Sequence, residues 1–173
     1  MRERIGIFGE TECGKTFVAM RISAAFWKNR GTPSLVLDPW LDQWGQHAWV
    51  TSSQDQFVAA VAKREHCLVI VDDTSATIQR SKEFIPFFTA IRHHEHSLCV
   101  CGHDGSDLLP IMRRQINDLY LFTQTEKSVE LWQADQPSMQ RLELAATPGF
   151  LKQYEFIRCR KNQTAEGPLK LRL

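Results

Sequence analysis

The stretch from Arg4 to Phe17, RIGIFGETECGKTF, constrains this chain more than any other. A short apolar run at residues 4–8 gives way to a loop with glycines at 9 and 14. Lys15 and Thr16 come next, then a segment carrying apolar Phe17, Met20, Ile22, Ala24, Ala25 and Phe26. That order predicts a buried strand, a tight loop and a helix over 16–29. Gly9, Gly14, Lys15 and Thr16 fit the spacing G-x-x-x-x-G-K-[ST], in which backbone N–H groups at a helix N-terminus cradle phosphate oxygens. Gly9 permits the turn, and Gly14 lets the backbone approach a phosphate closely. Lys15 is placed to reach the β- and γ-phosphates, and Thr16 to offer its hydroxyl to Mg²⁺. The expected ATP-contacting stretch is therefore Gly9, Glu10, Thr11, Glu12, Cys13, Gly14, Lys15, Thr16 and Phe17. Two acids, Glu10 and Glu12, lie inside it, and turned outward into water they cost little.

The rest of the chain alternates in the same way. SLVLD (34–38) reads as a strand, DPWLDQWGQHAW as a loop, and SQDQFVAAVAKR (53–64) as a helix with a serine start signal. CLVIVDD (67–73) is a continuous apolar run of the kind buried on both faces of a sheet. A helix over about 81–94, a strand at SLCVC (97–101) and a short helix near 108–115 follow. DLYLF (118–122), SVELW (128–132) and YEFIRCR (154–160) all read as β. Strand–helix alternation predicts an α/β chain with a mostly parallel sheet flanked by helices. Residues 1–161 form the expected domain, and the polar segment 162–173 a loosely held tail.

The run LVIVDD ends on two carboxylates, which is costly near other acids unless a cation is bound. Asp72 at the strand tip is expected to share Mg²⁺ with Thr16, so the metal residues are Thr16 and Asp72. Asp73 is expected to orient the attacking water.

Composition bounds the partners. A formal charge of +1 over 173 residues gives no global pull toward nucleic acid, so such contact needs a local patch. The stretch from Lys152 onward carries a modest basic bias. No apolar stretch approaches the ~18 residues of a membrane span. MRERIGIFG passes from charge straight into a strand, which does not read as a secretory signal. Five cysteines, an odd number, suit a reducing cytoplasm. Cys99, Cys101 and His103 lie close to His93, His94 and His96, yet no C-x-x-C spacing is present, and small buried cysteines in a central strand explain them better than a metal. Cys13 at a helix N-terminus raises the idea of a depressed thiol pKa, set against an ordinary small filler. Trp40, Trp44 and Trp49 are expected to pin a sheet edge or a subunit contact rather than stack on bases.

The block IRHHEHSLCVCGHDGSDLLPIMRRQINDLYLF (91–122), with Arg92-His93, Pro110 and Arg113 in place, resembles FtsK/HerA-type P-loop ATPases. It is most like the genome-packaging ATPases of tailless phages and Zot-like phage proteins, and the resemblance covers roughly residues 4–160. It implies the P-loop NTPase fold of the additional-strand type. It further implies ATP and Mg²⁺ as cofactors and hydrolysis coupled to double-stranded DNA translocation by a homo-oligomeric ring. Capsid or membrane vertex proteins are further implied partners, and the place of action is the host cytoplasm or the virion. Lys15, Asp73, His103 and Arg113 become the catalytic set. His103 falls where a sensor glutamine is usual, and Arg113 is a candidate for reaching a neighbouring subunit's nucleotide. Asp73 is one methylene shorter than the usual glutamate. Two alternatives stand beside the motor. One is a Zot-like assembly or secretion factor using ATP as a switch; the other is a small-molecule kinase, for which no arginine-rich lid is visible.

Overall fold

A computed structural model describes residues 2–78 and 84–171. In chain order the elements are β1 (Arg4–Phe8), α1 (Lys15–Arg30), β2 (Ser34–Leu37), β3 (Ala48–Thr51), α2 (Gln54–Ala62), β4 (Leu68–Val71) and α3 (Thr74–Thr77). Then come α4 (Phe84–Ala90), β5 (Ser97–Gly102), α5 (Pro110–Arg113), β6 (Asp118–Leu121), α6 (Glu126–Asp135), β7 (Glu155–Arg160) and β8 (Glu166–Lys170). The strands form one sheet in the order β3-β2-β4-β5-β1-β6-β7-β8. β1 to β6 pair in parallel, while β7 and β8 add antiparallel strands at one edge. β5 lies between β1 and β4, which makes this the additional-strand arrangement that the resemblance implies.

Alternation along each strand divides the core into two layers. Ile5, Ile7, Leu68, Ile70, Cys99 and Cys101 face α1 and pack with Val18, Ala19 and Phe26. Phe8, Val69, Val71, Leu98, Val100 and Leu119 face the other side, against Phe57, Phe88, Met112 and Trp132. Trp132 is fully buried and lies 4.8 Å from the Phe8 ring. Cys99 and Cys101 are fully buried strand residues, as small apolar side chains would be. His96 is buried as well, accepting from the Cys67 N–H and facing the Val61 carbonyl, which gives it a structural occupation.

Several segments depart from the sequence reading. SVELW lies inside α6, not in a strand: the Thr125 hydroxyl caps the helix by accepting from Ser128 N–H, and Ser128, Val129 and Trp132 form its buried face. The loop expected over 38–49 ends early: residues 48–51 form the edge strand β3. The helix expected over 81–94 is observed as Phe84–Ala90, its first three positions lying outside the described residues. The segment after Lys161 carries β8, paired along β7 and closing the sheet at that edge. Among the tryptophans, Trp44 is buried and donates its indole N–H to Asp38, whereas Trp40 is 72% exposed.

Candidate functional site

Three strand ends build the site. β1 feeds the loop Gly9–Gly14, β4 delivers Asp72 and Asp73, and β5 between them delivers His103. The loop returns into α1 at Gly14, which has φ 104° and caps the helix without any side-chain hydrogen bond. A Cβ at Gly14 would lie 2.5 Å from Leu171, and one at Gly9 would lie 2.5 Å from Phe122. Both motif glycines are thus required by backbone conformation or close approach. The first turn of α1 holds no acid, and its last turn holds Lys28 and Arg30. A 16-residue helix so arranged presents its first N–H groups and the positive end of its dipole to the loop.

Lys15 folds back over the loop. Its Nζ donates to the Gly9 carbonyl at 2.9 Å and to the Glu10 carbonyl at 2.7 Å. Glu10, Thr11 and Glu12 are exposed, so the acids do point outward. Glu12 sits at φ 62°, in the left-handed region that glycine adopts freely and glutamate only at a cost. Glu12→Gly is therefore expected to relax the loop and remove a negative charge, tightening ATP binding by about threefold to tenfold. Calorimetric titration with ATP checks this; an unchanged affinity would mean the strain is not relieved on binding. Cys13 stands 2.8 Å from where a Gly9 Cβ would be, as a filler. Burial, outweighing Lys15, pushes its thiol pKa up, the reverse of an activated cysteine.

Thr16 Oγ1 donates to Asp72 Oδ2 at 2.8 Å, joining α1 to the tip of β4. Asp72 is 3% exposed. Its carboxyl is pushed above the usual range, first by burial and then by the negative charge of Asp38, with the Thr16 hydrogen bond opposing. Asp38 itself was not anticipated from sequence. Fully buried at the end of β2, it accepts from the N–H groups of Trp40 and Asp42 and from the Trp44 indole, fixing the 39–44 loop.

Asp73 has φ 47° and caps α3, with Oδ1 accepting from Ser75 Oγ at 2.6 Å and from Ala76 N–H at 3.3 Å. His103 Nε2 lies 3.7 Å from the same Oδ1. The two neighbours on β4 and β5 are therefore brought together at the strand tips. His103 is held from behind: its N–H donates to Asp107 at 2.6 Å, and its carbonyl accepts from Gln124 at 3.2 Å. Asp107 and Gln124 were also unanticipated: Asp107 acts within the turn that follows β5, and Gln124 reaches His103 from beyond β6, 21 positions away.

Arg113 is placed otherwise than expected. It is 4% exposed, and its guanidinium is used inside the fold. Nε donates to Asp135 at 2.7 Å, and Nη1 donates to the carbonyls of Gly105 and Leu108, each at 2.6 Å. Arg114 holds the other oxygen of Asp135, and Gln136 donates to the carbonyls of Arg113 and Ile116. A side chain so enclosed joins α5 to α6 within the chain. Arg113→Ala is expected to destabilise the fold by about 3 kcal/mol, near the low end for a broken buried pair because Arg114 still partners Asp135. Denaturant unfolding reads this, and a loss under about 0.5 kcal/mol would remove the structural role.

These elements define a P-loop NTPase fold of the additional-strand type, with the loop, the acidic strand tip and the polar tip of the inserted strand in register. Similar structures bear this out. The genome packaging NTPase B204 from Sulfolobus turreted icosahedral virus 2, in complex with AMPPCP, superposes with a TM-score of 0.74 at 16% identity, covering 98% of each chain. The same protein with sulfate gives 0.76 at 17% identity, covering 98% of this chain and 97% of that one. The N-terminal domain of zonular occludens toxin from Neisseria meningitidis gives 0.53 at 17%, over 73% of this chain and 79% of the other. No protein-family model matches the sequence, and no curated protein matches it.

Proposed function

We propose that the chain binds and hydrolyses ATP with Mg²⁺ and works as a DNA-translocating motor of the genome-packaging kind, acting as a ring of identical subunits in the host cytoplasm or at the virion. The observation that carries this reading is the Thr16–Asp72 hydrogen bond. It places a hydroxyl and a carboxylate, 56 positions apart, at the mouth of an uncapped helix N-terminus. That oxygen pair suits Mg²⁺, a hard cation that takes few protein ligands and keeps the rest for phosphate and water. Bound there, Mg²⁺ would neutralise charge on the β- and γ-oxygens.

The chain's own residues divide the remaining work. Gly14, Lys15 and Thr16 offer backbone N–H groups to phosphates, and Lys15 exchanges its two loop carbonyls for phosphate oxygens. A cavity of about 280 Å³ beside the loop, walled by Cys13, Phe122, Thr123 and Lys152, is where we place the nucleoside. Asp73 orients the attacking water, and His103 reports on the γ-phosphate side through its contact with Asp73. The likeness over nearly the whole length to a genome packaging NTPase supports the coupling to DNA. Partial likeness to the zonular occludens toxin domain favours one second reading, an ATP-driven assembly factor that moves no DNA.

Asp72→Asn, which keeps the shape and the Thr16 bond, is expected to lower Mg²⁺-dependent turnover by about 10²-fold. Hydrolysis titrated with Mg²⁺ tests this. Wild-type turnover with unchanged Mg²⁺ dependence in the variant would contradict the site.

A further inference from the structure

A second charged feature lies at the opposite end of the sheet from the loop. β1 and β6 start there at Arg4 and Asp118, and β7 ends beside them with Arg160 opposite Asp118. A cleft of about 590 Å³ opens between these ends. Five cations line it, Arg2, Arg114, Arg158, Arg160 and Lys161, against two carboxylates, Glu3 and Asp118. In a chain of formal charge +1 that is a strong local excess. Both carboxylates are engaged already. Glu3 takes Arg30 at 2.6 Å, and Asp118 grips Arg158 through two hydrogen bonds of 2.9 and 2.5 Å. Two of the cations are paired outside the cleft, Arg2 with Glu95 and Arg114 with Asp135, which Arg113 shares. Arg114 is still 67% exposed, and Arg160 stands 3.7 Å from Asp118 with more than half its side chain exposed.

Behind the cleft lies a further cation. Arg4 is 6% exposed, donates from Nη1 to the Phe88 carbonyl and to Gln115, and leaves Nη2 without a hydrogen-bond partner. Among the described residues no carboxylate pairs with it. Burial, with Arg92 and Arg2 nearby, lowers its pKa to about 10. A buried cation beside two others is costly, and an anion at this surface would offset that cost. The positive potential is thus built into the strand starts and does not rest on flexible surface chains alone.

We propose that this cleft is the surface that grips the phosphodiester backbone of double-stranded DNA, an inference that rests on the motor reading above. Guanidinium groups match phosphate oxygens in paired hydrogen bonds. No aromatic side chain lines the cleft, so base stacking of the single-strand kind has no platform. The contact is with the backbone and is independent of sequence. One strand, β1, runs from Arg4 behind the cleft to Phe8 at the ATP loop, over roughly 13 Å. The two ligands are therefore separate in space and joined by a rigid element.

The test is equilibrium binding of a short random-sequence duplex, without nucleotide, over a salt series. The variant is Arg114→Ala/Arg160→Ala/Lys161→Ala. The matched control, Lys28→Ala/Lys63→Ala/Lys127→Ala, removes the same charge from exposed positions elsewhere. Losing three phosphate contacts is expected to cost about 10²-fold or more in affinity and to flatten the slope of log K against log salt by about three. The control should lose under about threefold and keep its slope. Should the triple variant melt early, Lys161→Glu, at an exposed position, is expected alone to weaken binding by about tenfold. Equal losses in cleft and control variants, with wild type binding DNA, would overturn the cleft and leave the motor reading standing. Absence of duplex binding by wild type would overturn both. Cleft-dependent binding of polyglutamate, with duplex binding untouched, would assign the surface to an acidic protein and overturn the proposal.

Discussion

Lys15→Ala is expected to reduce ATP turnover by about 10³-fold or more while leaving the fold intact. The two halves of that expectation have separate causes. Among the described residues Lys15 Nζ hydrogen-bonds only the loop carbonyls of Gly9 and Glu10, so its removal strands no buried charge. A change within about 0.5–1 kcal/mol in unfolding free energy follows, as for other substitutions away from the core. Those two carbonyls hold the ammonium over the mouth of α1, where the terminal phosphates would enter. Removing a positioned cation aimed at developing phosphoryl charge costs about 10²–10³ in rate, and here ground-state binding falls as well. Calorimetry with ATP beside denaturant unfolding separates the two effects. ATP affinity within about twofold of wild type, in a folded variant, would place the phosphates somewhere other than this loop.

Asp73→Asn is the second large effect, and the structure makes it an unusually clean substitution. Asp73 does two things: it caps α3 through Oδ1, and it lies beside His103 at the strand tips. Asparagine caps a helix as well as aspartate does and tolerates positive φ, so stability should change by under about 1 kcal/mol. What disappears is the carboxylate charge. Single-turnover hydrolysis is expected to fall by about 10²–10³-fold with ATP affinity retained. Asp73→Glu does not restore an ideal base, although glutamate is the commoner residue in the ATPases that this sequence resembles. The longer chain caps poorly, and a φ of 47° strains it, so a loss of about 1 kcal/mol in stability and no gain in rate are expected. A faster Asp73→Glu enzyme would show that reach limits the reaction and capping does not. Equal single-turnover rates for Asp73→Asn and wild type would clear Asp73 of catalysis.

The sequence carried the fold where signals were local. β1, the loop and α1 follow from an apolar run, two glycines and a cap-free helix start, all within Arg4–Arg30. LVIV and SLCVC read as buried strands because both of their faces are covered. SVELW misled because Val129 and Leu131 alternate like a strand over five residues, too short a window to separate the two periods. The cue that could have decided it was Thr125, three residues before Ser128 and placed as an N-cap. β8 gave no signal, since EGPLK is largely exposed and owes its conformation to pairing along β7. The role of Arg113 was hidden for a related reason: its partner Asp135 lies 22 positions away on another helix, and nothing in the local pattern links them. Gln124 likewise acts through a contact that exists only once the sheet is assembled, whereas Asp38 and Asp107 bind groups within six positions of themselves, in loops that no motif marks.

Hydrolysis of ATP measured with and without double-stranded DNA, at low salt and with Mg²⁺, tests the central claim most directly. A motor whose loop, strand tips and cleft are joined through β1 should turn over ATP about tenfold or more faster when duplex is present. Lys15→Ala should abolish that rise. Turnover that is Lys15-dependent yet indifferent to duplex, in a preparation that binds duplex, would contradict coupling to DNA and leave an ATP-driven switch.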